Sequence, residues 1–334
     1  MALPEHFFDK TFVPLADGEA PELPNQRTRI IQLRDLVGDA RNIDARRDTY
    51  VPALQQVYTY SKGMTDPGIA YALLGPQGEL KALQHIGDPR FKANSLVVGR
   101  HSHVDTPTEA NNLALRHLVL TQRSADPNVV EVRDLRSAAG TRLMDGSRIL
   151  AASLPTPMIL DLGELCLVVV TTPVALDMTS FIDRVFAPVV TTLPLVSSPI
   201  GLRLERFRKI GERSRMLDDA ALGLSIELRL EEMVELTPTP EQITRGFVIG
   251  RYGRCDWPAR SDPHGSGLSR VHAMIFVSQG APYIVDTGST NGVRHTDMGC
   301  VRYKHLMPGD QFWLGSTYRL TMIEPRYAEA HLDA

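Results

Sequence analysis

The chain has 334 residues, 43% hydrophobic and 22% charged, enough for two or three folded domains. A net charge of -3 excludes a global electrostatic pull toward nucleic acid or an anionic membrane. Three widely spaced cysteines (Cys166, Cys255, Cys300) exclude a disulfide framework and a cysteine zinc site, and read as reduced thiols of a cytoplasmic protein.

The N-terminus, MALPEHFFDKTF, carries Glu5 and Asp9 and has no apolar signal-peptide core. Residues 3–25 are rich in Pro, Glu and Asp and read as an extended arm. Ile30, Leu33, Val37 and Ala40 fall at helical spacing within 26–47, which predicts an amphipathic helix. From Ile69 short β-rich runs take over: IAYALL, LKALQHI, NSLVVGR, LALRHLVL, NVVEVRDL and GELCLVVV, separated by Gly, Pro, Asn and Asp. That texture predicts a sandwich or barrel. Prolines 173, 188, 194 and 199 mark irregular chain, and VVTTLPLVSSPI (189–200) falls short of the roughly 20 apolar residues a membrane helix needs. Residues 200–217, with six Lys or Arg, predict a short basic helix with a solvated face. Ile226, Leu228 and Leu230 alternate cleanly and predict a strand with one buried face.

The later part of the chain repeats the earlier one. LVVGR ends at Arg100 and FVIGR at Arg251, an offset of 151. Asp134 aligns with Asp286, Gly140 with Gly292, and Leu162-Gly163 with Leu314-Gly315, each offset by 152. His117 pairs with His272 at an offset of 155. Ordered anchors at a near-constant spacing indicate two domains of one fold. Strand-supporting residues persist in both copies while polar tips differ: Ser269 corresponds to Ala114, Arg270 to Leu115, Thr290 to Ala138 and Asn291 to Ala139.

Those tips carry the chemistry. Arg251 follows an apolar run and a glycine, where a guanidinium can grip a phosphate bidentately. Ser269 and Thr290 offer hydroxyls, Arg270 a second cation, and Asn291 an amide that donates and accepts. Gly288 and Gly292 permit a φ > 0 turn that brings backbone N–H groups close to a ligand. The sequence has no activated nucleophile beside a base, no metal cluster and no GxxxxGK[ST] loop. The set is suited to holding a phosphate, not transferring one, so no enzyme activity, metal or cofactor is expected.

In order, GR, SRxH and DxGSTNG, followed by L-x-PGD-x-x-x-LG, resemble a forkhead-associated (FHA) domain over about 220–325. The resemblance implies an 11-stranded antiparallel β-sandwich that binds phosphothreonine peptides with loops at one end. It implies phosphate contacts from Arg251, Ser269 and Thr290, a peptide-backbone contact from Asn291, and a peptide or phosphate contact from Arg270. His272 resembles a buried brace of the binding loops, and Gly250 a backbone requirement, with Gly288 and Gly292 supporting the turn. The first copy resembles the same domain more faintly, without the serine and asparagine equivalents.

The expected architecture is all-β: an N-terminal arm and helix (1–62), a degenerate FHA-like sandwich (63–175), a linker with a short basic helix (176–219), an FHA domain (220–326) and a tail (327–334). The expected function is a cytoplasmic phosphothreonine-peptide adaptor in Ser/Thr kinase signalling, its first domain independent of phosphate. The rivals are a structural assembly protein using the sandwich faces, and an enzyme in 1–60 or 176–219. The partner is a phosphothreonine-containing protein or a Ser/Thr kinase, with no nucleic acid and no membrane insertion. His101, His103 and Asp105 are read as an exposed loop rather than a metal site, and Thr237 and Thr239 as a plain turn.

Overall fold

The computed structural model describes residues 43–86, 95–108, 113–122, 126–187, 189–196, 199–213, 225–259 and 267–324. Side chains at 43–46, 209–213 and 225–227 lie outside that description.

Helix α1 (Ile43–Lys62) leads into eleven strands: β1 (Gly68–Leu74), β2 (Leu80–Ile86), β3 (Ser95–Gly99), β4 (Thr106–Pro107), β5 (Leu118–Gln122), β6 (Val129–Asp134), β7 (Thr141–Arg142), β8 (Arg148–Ile149), β9 (Ala151–Pro155), β10 (Met158–Asp161) and β11 (Cys166–Thr172). They form two sheets, ordered β2-β1-β11-β10-β7-β8 and β4-β3-β5-β6-β9. Helix α2 (Met178–Phe186) then connects to a second set of eleven, with helix α3 (Pro240–Arg245) among them. These are β12 (Gly201–Arg213), β13 (Ser225–Leu236), β14 (Phe247–Gly250), β15 (Trp257–Pro258), β16 (Ala273–Ser278), β17 (Ala281–Asp286), β18 (Val293–His295), β19 (Gly299–Val301), β20 (Tyr303–His305), β21 (Gln311–Leu314) and β22 (Tyr318–Ile323). Their sheets are ordered β13-β12-β22-β21-β18-β19 and β15-β14-β16-β17-β20, the same arrangement strand for strand. Even the parallel pairs correspond: Val98 faces Thr106 as Ile249 faces Trp257.

Among the described residues, four apolar clusters define five layers. Tyr50, Leu54 and Val57 of α1 and Phe181 and Val185 of α2 cover the outer face of β1 and β11. Leu73, Leu96, Leu120, Val132 and Leu167 fill the first sandwich. Leu204, Ile249, Ile275, Phe312 and Leu320 fill the second. Between the sandwiches, Val97, Val119 and Leu135 meet Val248, Met274, Phe276 and Val285. The sheets carrying the repeated GR motifs therefore face each other. Both faces of each first-sandwich sheet are covered, which explains why β11 is buried at every residue.

Two expectations change. The predicted basic helix at 200–217 is strand β12 over Gly201–Arg213, so the second sandwich begins well before 220 and the connector is shorter than 176–219. Period-2 alternation decided it: Leu202 and Leu204 point into the core. Its arginines pair across the ladder, Arg203 to Glu235 at 2.7 Å and Arg206 to Glu231 at 3.3 Å. The expected buried face of β13 is not there: Leu228 and Leu230 are exposed, as is Met233. Strand β22 pairs β12 only as far as Arg206, so the outer half of the β12–β13 ribbon runs beyond the sandwich. The arm and connector are partly helical as expected, the connector's helix lying at Met178–Phe186 rather than within 200–217. Tyr50, Leu54, Val57 and Ser61 recur at helical spacing despite Pro52, and Asp177 caps α2 by accepting from the Ser180 N–H at 2.8 Å. The helix expected at 26–47 lies almost wholly outside the described residues.

Candidate functional site

Three loops meet at one end of the second sandwich. The first leaves β14 at Arg251, the second (Ser269 to His272) enters β16, and the third (Thr287 to Gly292) joins β17 to β18. Backbone bonds tie the first two together: Arg251 N–H donates to Ser269 O at 3.1 Å and Tyr252 N–H to Arg270 O at 3.0 Å. A Cβ on Gly250 would sit 2.3 Å from Arg270 O, so only glycine allows that approach.

His272 is the buried brace. The Ser269 N–H donates to its Nδ1 at 3.0 Å, so Nδ1 is unprotonated and Nε2 donates to Gly292 O at 3.1 Å. Burial lowers its pKa to about 4, with the Asp286 carboxylate opposing, so the ring is neutral at physiological pH. The Ser269 hydroxyl accepts from Thr290 N–H at 2.9 Å and lies 3.4 Å from Thr290 Oγ1. Asn291 Nδ2 donates to Gly267 O at 2.6 Å. Asp286 holds the turn by accepting from Ser289 N–H at 2.7 Å.

Ser269, Thr290 and Asn291 are thus brought together, with Arg251 exposed on the adjoining loop. Thr290 and Asn291 reach solvent, whereas Ser269 is only 7% exposed and its hydroxyl is already engaged. Arg270 points elsewhere, into a cleft between the two sandwiches. Arg251, Ser269, Thr290 and Asn291 bring a guanidinium, two hydroxyls and an amide to this end of the sandwich, an arrangement that can hold an oxyanion.

The sequence reading missed the contribution of the first sandwich. Arg116, in the place of Val271 in the second copy, crosses the interface. Its guanidinium donates to Thr287 O at 2.9 Å and to Gly288 O, and Nη2 lies 3.4 Å from Ser269 Oγ. Burial lowers Arg116 to about 10, which leaves it charged at neutral pH. Gly288 packs so closely against the first sandwich that a Cβ would lie 2.7 Å from His103 O; its φ is +78°. The His101–Asp105 loop, read as merely exposed, is therefore part of the interface: His103 O accepts from Arg302 at 3.3 Å and Asp105 pairs with Arg302 at 2.7 Å. Asp256, five residues after Arg251 as Asp105 is after Arg100, pairs back with Arg136 at 2.7 Å. That second offset of 151 was the available signal. Thr239, read as a turn, is the N-cap of α3 in a capping box with Gln242.

Among the described residues no group of His, Cys, Asp and Glu has metal-ligand placement, and no helix is long and apolar enough to cross a membrane.

The family model described as FHA domain matches residues 247–315, the span holding all three loops. This segment is an FHA domain. The first sandwich has the same strand order. No curated protein matches the chain. Among solved structures, EmbR of Mycobacterium tuberculosis in complex with a low-affinity phosphopeptide is 25% identical over 24% of this chain and 20% of that one, with a TM-score of 0.21. The FHA domain of the CT664 protein of Chlamydia trachomatis is 16% identical over 31% of this chain and 96% of that one, with a TM-score of 0.27. This chain thus aligns with only a fifth of EmbR.

Proposed function

We propose that this protein is a phosphothreonine-peptide-binding adaptor in Ser/Thr kinase signalling, read by the C-terminal FHA domain, with the first sandwich acting independently of phosphate. The observation that carries it is the convergence of Arg251, Ser269, Thr290 and Asn291 on one rim of the FHA domain, held by the Ser269–His272 and Ser269–Thr290 bonds. A phosphate adds close to two negative charges, which these donors pair, so affinity depends on phosphorylation. Arg251 and Thr290 contact the phosphate, Ser269 orients Thr290, and Asn291 holds the peptide backbone. Arg270 serves the peptide from the cleft side. The partner is a phosphothreonine-bearing protein or a Ser/Thr kinase, and no catalytic step is involved.

The exposed Leu228, Leu230 and Met233 on edge strand β13 favour a second reading, assembly through a sandwich edge without phosphate. Calorimetry of the full chain with phosphothreonine peptide libraries and their dephosphorylated forms separates the two. We expect binding only to the phosphorylated set, and a loss of at least roughly tenfold on Arg251→Ala. Equal binding of both sets, or an indifferent Arg251→Ala, removes the phosphothreonine reading and favours assembly.

A further inference from the structure

The cleft into which Arg270 points has features the site above does not use. It is a cavity of about 240 Å³ lined from the first sandwich by Arg100, Arg116 and Arg136, and from the second by Tyr252, Arg254 and Arg270. None of its described lining residues is acidic. Arg136 is paired with Asp256. Among the described residues, Arg116 donates only to carbonyls and a hydroxyl. Arg100, Arg254 and Arg270 have no ion pair among the described residues, and Arg254 lies over the Tyr252 ring at 5.5 Å. Like charges gathered in a concave site raise the local potential and favour an anion entering it.

We propose that this interdomain cleft is a second phosphate site, taking another phosphorylated side chain of the peptide held at Ser269. The proposal rests on the phosphothreonine reading of the FHA domain and names a further feature of its ligand, two phosphates close together in sequence. Continuity supports one ligand for both sites. Ser269 and Arg270 are adjacent, the first turned toward Thr290 and the second into the cleft. Arg116 belongs to both, with Nη2 at 3.4 Å from Ser269 Oγ and its side chain in the cleft wall. Size argues for a side-chain group rather than a nucleic-acid strand, since pockets for drug-sized ligands start at about 300 Å³. Guanidinium forks match phosphate bidentately, which makes arginine, here from two domains, the fitting residue. The site exists only when the sandwiches are docked, because neither contributes more than part of the cluster.

The test uses the full chain. In calorimetry, a library with one fixed phosphothreonine is compared with libraries carrying a second phosphorylated residue moved stepwise along either side. At some spacing the second phosphate is expected to tighten binding by roughly tenfold or more. In the Arg100→Ala/Arg254→Ala variant the ratio of doubly to singly phosphorylated affinity should fall to about one. No spacing that tightens, a ratio that survives the variant, or an equal gain from glutamate in place of the second phosphate overturns the proposal. A second arm stands apart from the phosphothreonine reading. Arginine Nε resonances of the Arg251→Ala chain are followed during titration with inorganic phosphate, with Arg100 and Arg254 assigned by Lys substitution. Shifts at both are expected even where Arg251→Ala has abolished peptide binding. Unmoved resonances, or saturation by a single-stranded oligonucleotide below the phosphopeptide concentration needed, overturn it.

Discussion

The two sandwiches share a strand order but spend their loop ends differently. In both, a buried histidine Nε2 meets the carbonyl of the turn glycine: His117 to Gly140 O at 3.2 Å, His272 to Gly292 O at 3.1 Å. In both, an aspartate at the end of the neighbouring strand accepts a turn N–H at 2.7 Å. The other ring nitrogen separates them. His272 Nδ1 accepts from Ser269, whose hydroxyl accepts from Thr290, so a bonded chain links the core to the rim. His117 Nδ1 is buried without a partner among the described residues. Its loop is instead closed on itself, with Ser137 and Thr141 hydroxyls donating to Asp134 at 2.6 and 2.8 Å. The first copy thus keeps the brace and gives up the rim. What it gains is an outward role, through Arg116, Arg133 and Arg136, which hold the second copy.

The largest test of that division is Arg133. It is fully buried, pairs with Glu131 at 2.9 Å, donates to Thr244 O and Val277 O of the second sandwich at 3.1 and 2.9 Å, and lies 4.3 Å above the Phe276 ring. Its counterpart in the second copy is Val285, 152 residues on. Arg133→Val removes one partner of a buried pair and should cost about 3–5 kcal/mol in urea unfolding of the full chain. If the domains were independent, the variant would leave the unfolding of the second sandwich untouched.

The paired aspartates give a smaller, graded comparison. Asp256 accepts from Arg136, from Arg245 at 2.6 Å and from Val248 N–H at 2.9 Å, and its side chain is 4% exposed. Asp105 accepts from Arg302 and from Val97 N–H at 2.6 Å, at 28% exposure. Asp256→Ala should lose about 3 kcal/mol and Asp105→Ala about 1 kcal/mol, because solvent screens the second pair. Equal losses would show that burial does not set the difference.

Much of this was legible in the sequence, for identifiable reasons. The all-β class, the repeat and the convergence of Ser269, Thr290 and Asn291 follow from alternation and motif order, which are local. Strand β12 was misread because its arginines also fall at helical spacing; the glutamates that pair them lie on β13, some thirty residues away. The exposure of Leu228 and Leu230 depends on where β22 stops, and no pattern within β13 encodes that. The interface escaped because Val97, Val119, Val248 and Met274 look like ordinary core positions until two sheets are set face to face. Arg116 was invisible for a related reason: in its own copy it lies beside a lost motif, and only docking gives it ligands.

Acid sharpens the histidine comparison. Burial holds His272 at about 4, below the usual 6.5. The unfolded chain therefore takes up a proton first as pH falls, so the stability this residue contributes is fully present above 6.5 and is lost progressively toward 4. His117 is lowered for the same reason and acts with the same sign. His272→Gln should lower stability at neutral pH yet flatten the decline between 6.5 and 4, measured by urea midpoints across that range. A decline of undiminished slope would assign acid sensitivity to other groups.

The smallest effect is expected from Arg100, which shares the GR motif with Arg251. Arg100 and Arg251 are both exposed at the end of equivalent strands, and neither has an ion pair among the described residues. Each N–H is held by the loop opposite, Arg100 to Ala114 O and Arg251 to Ser269 O, both at 3.1 Å. Across from Arg100 stand Ala114, Ala138 and Ala139, and across from Arg251 the counterparts Ser269, Thr290 and Asn291, while Arg100 alone of the two also lines the interdomain cleft. Truncating Arg100 removes a solvated side chain, so Arg100→Ala should shift stability by no more than about 0.5 kcal/mol. Affinity for a singly phosphorylated peptide should stay within experimental error, while Arg251→Ala should lower it at least roughly tenfold. Fluorescence anisotropy on the two variants side by side decides the matter. A comparable loss from both would mean that the first sandwich reads the same phosphate, and that its missing hydroxyls are replaced by contacts from the second.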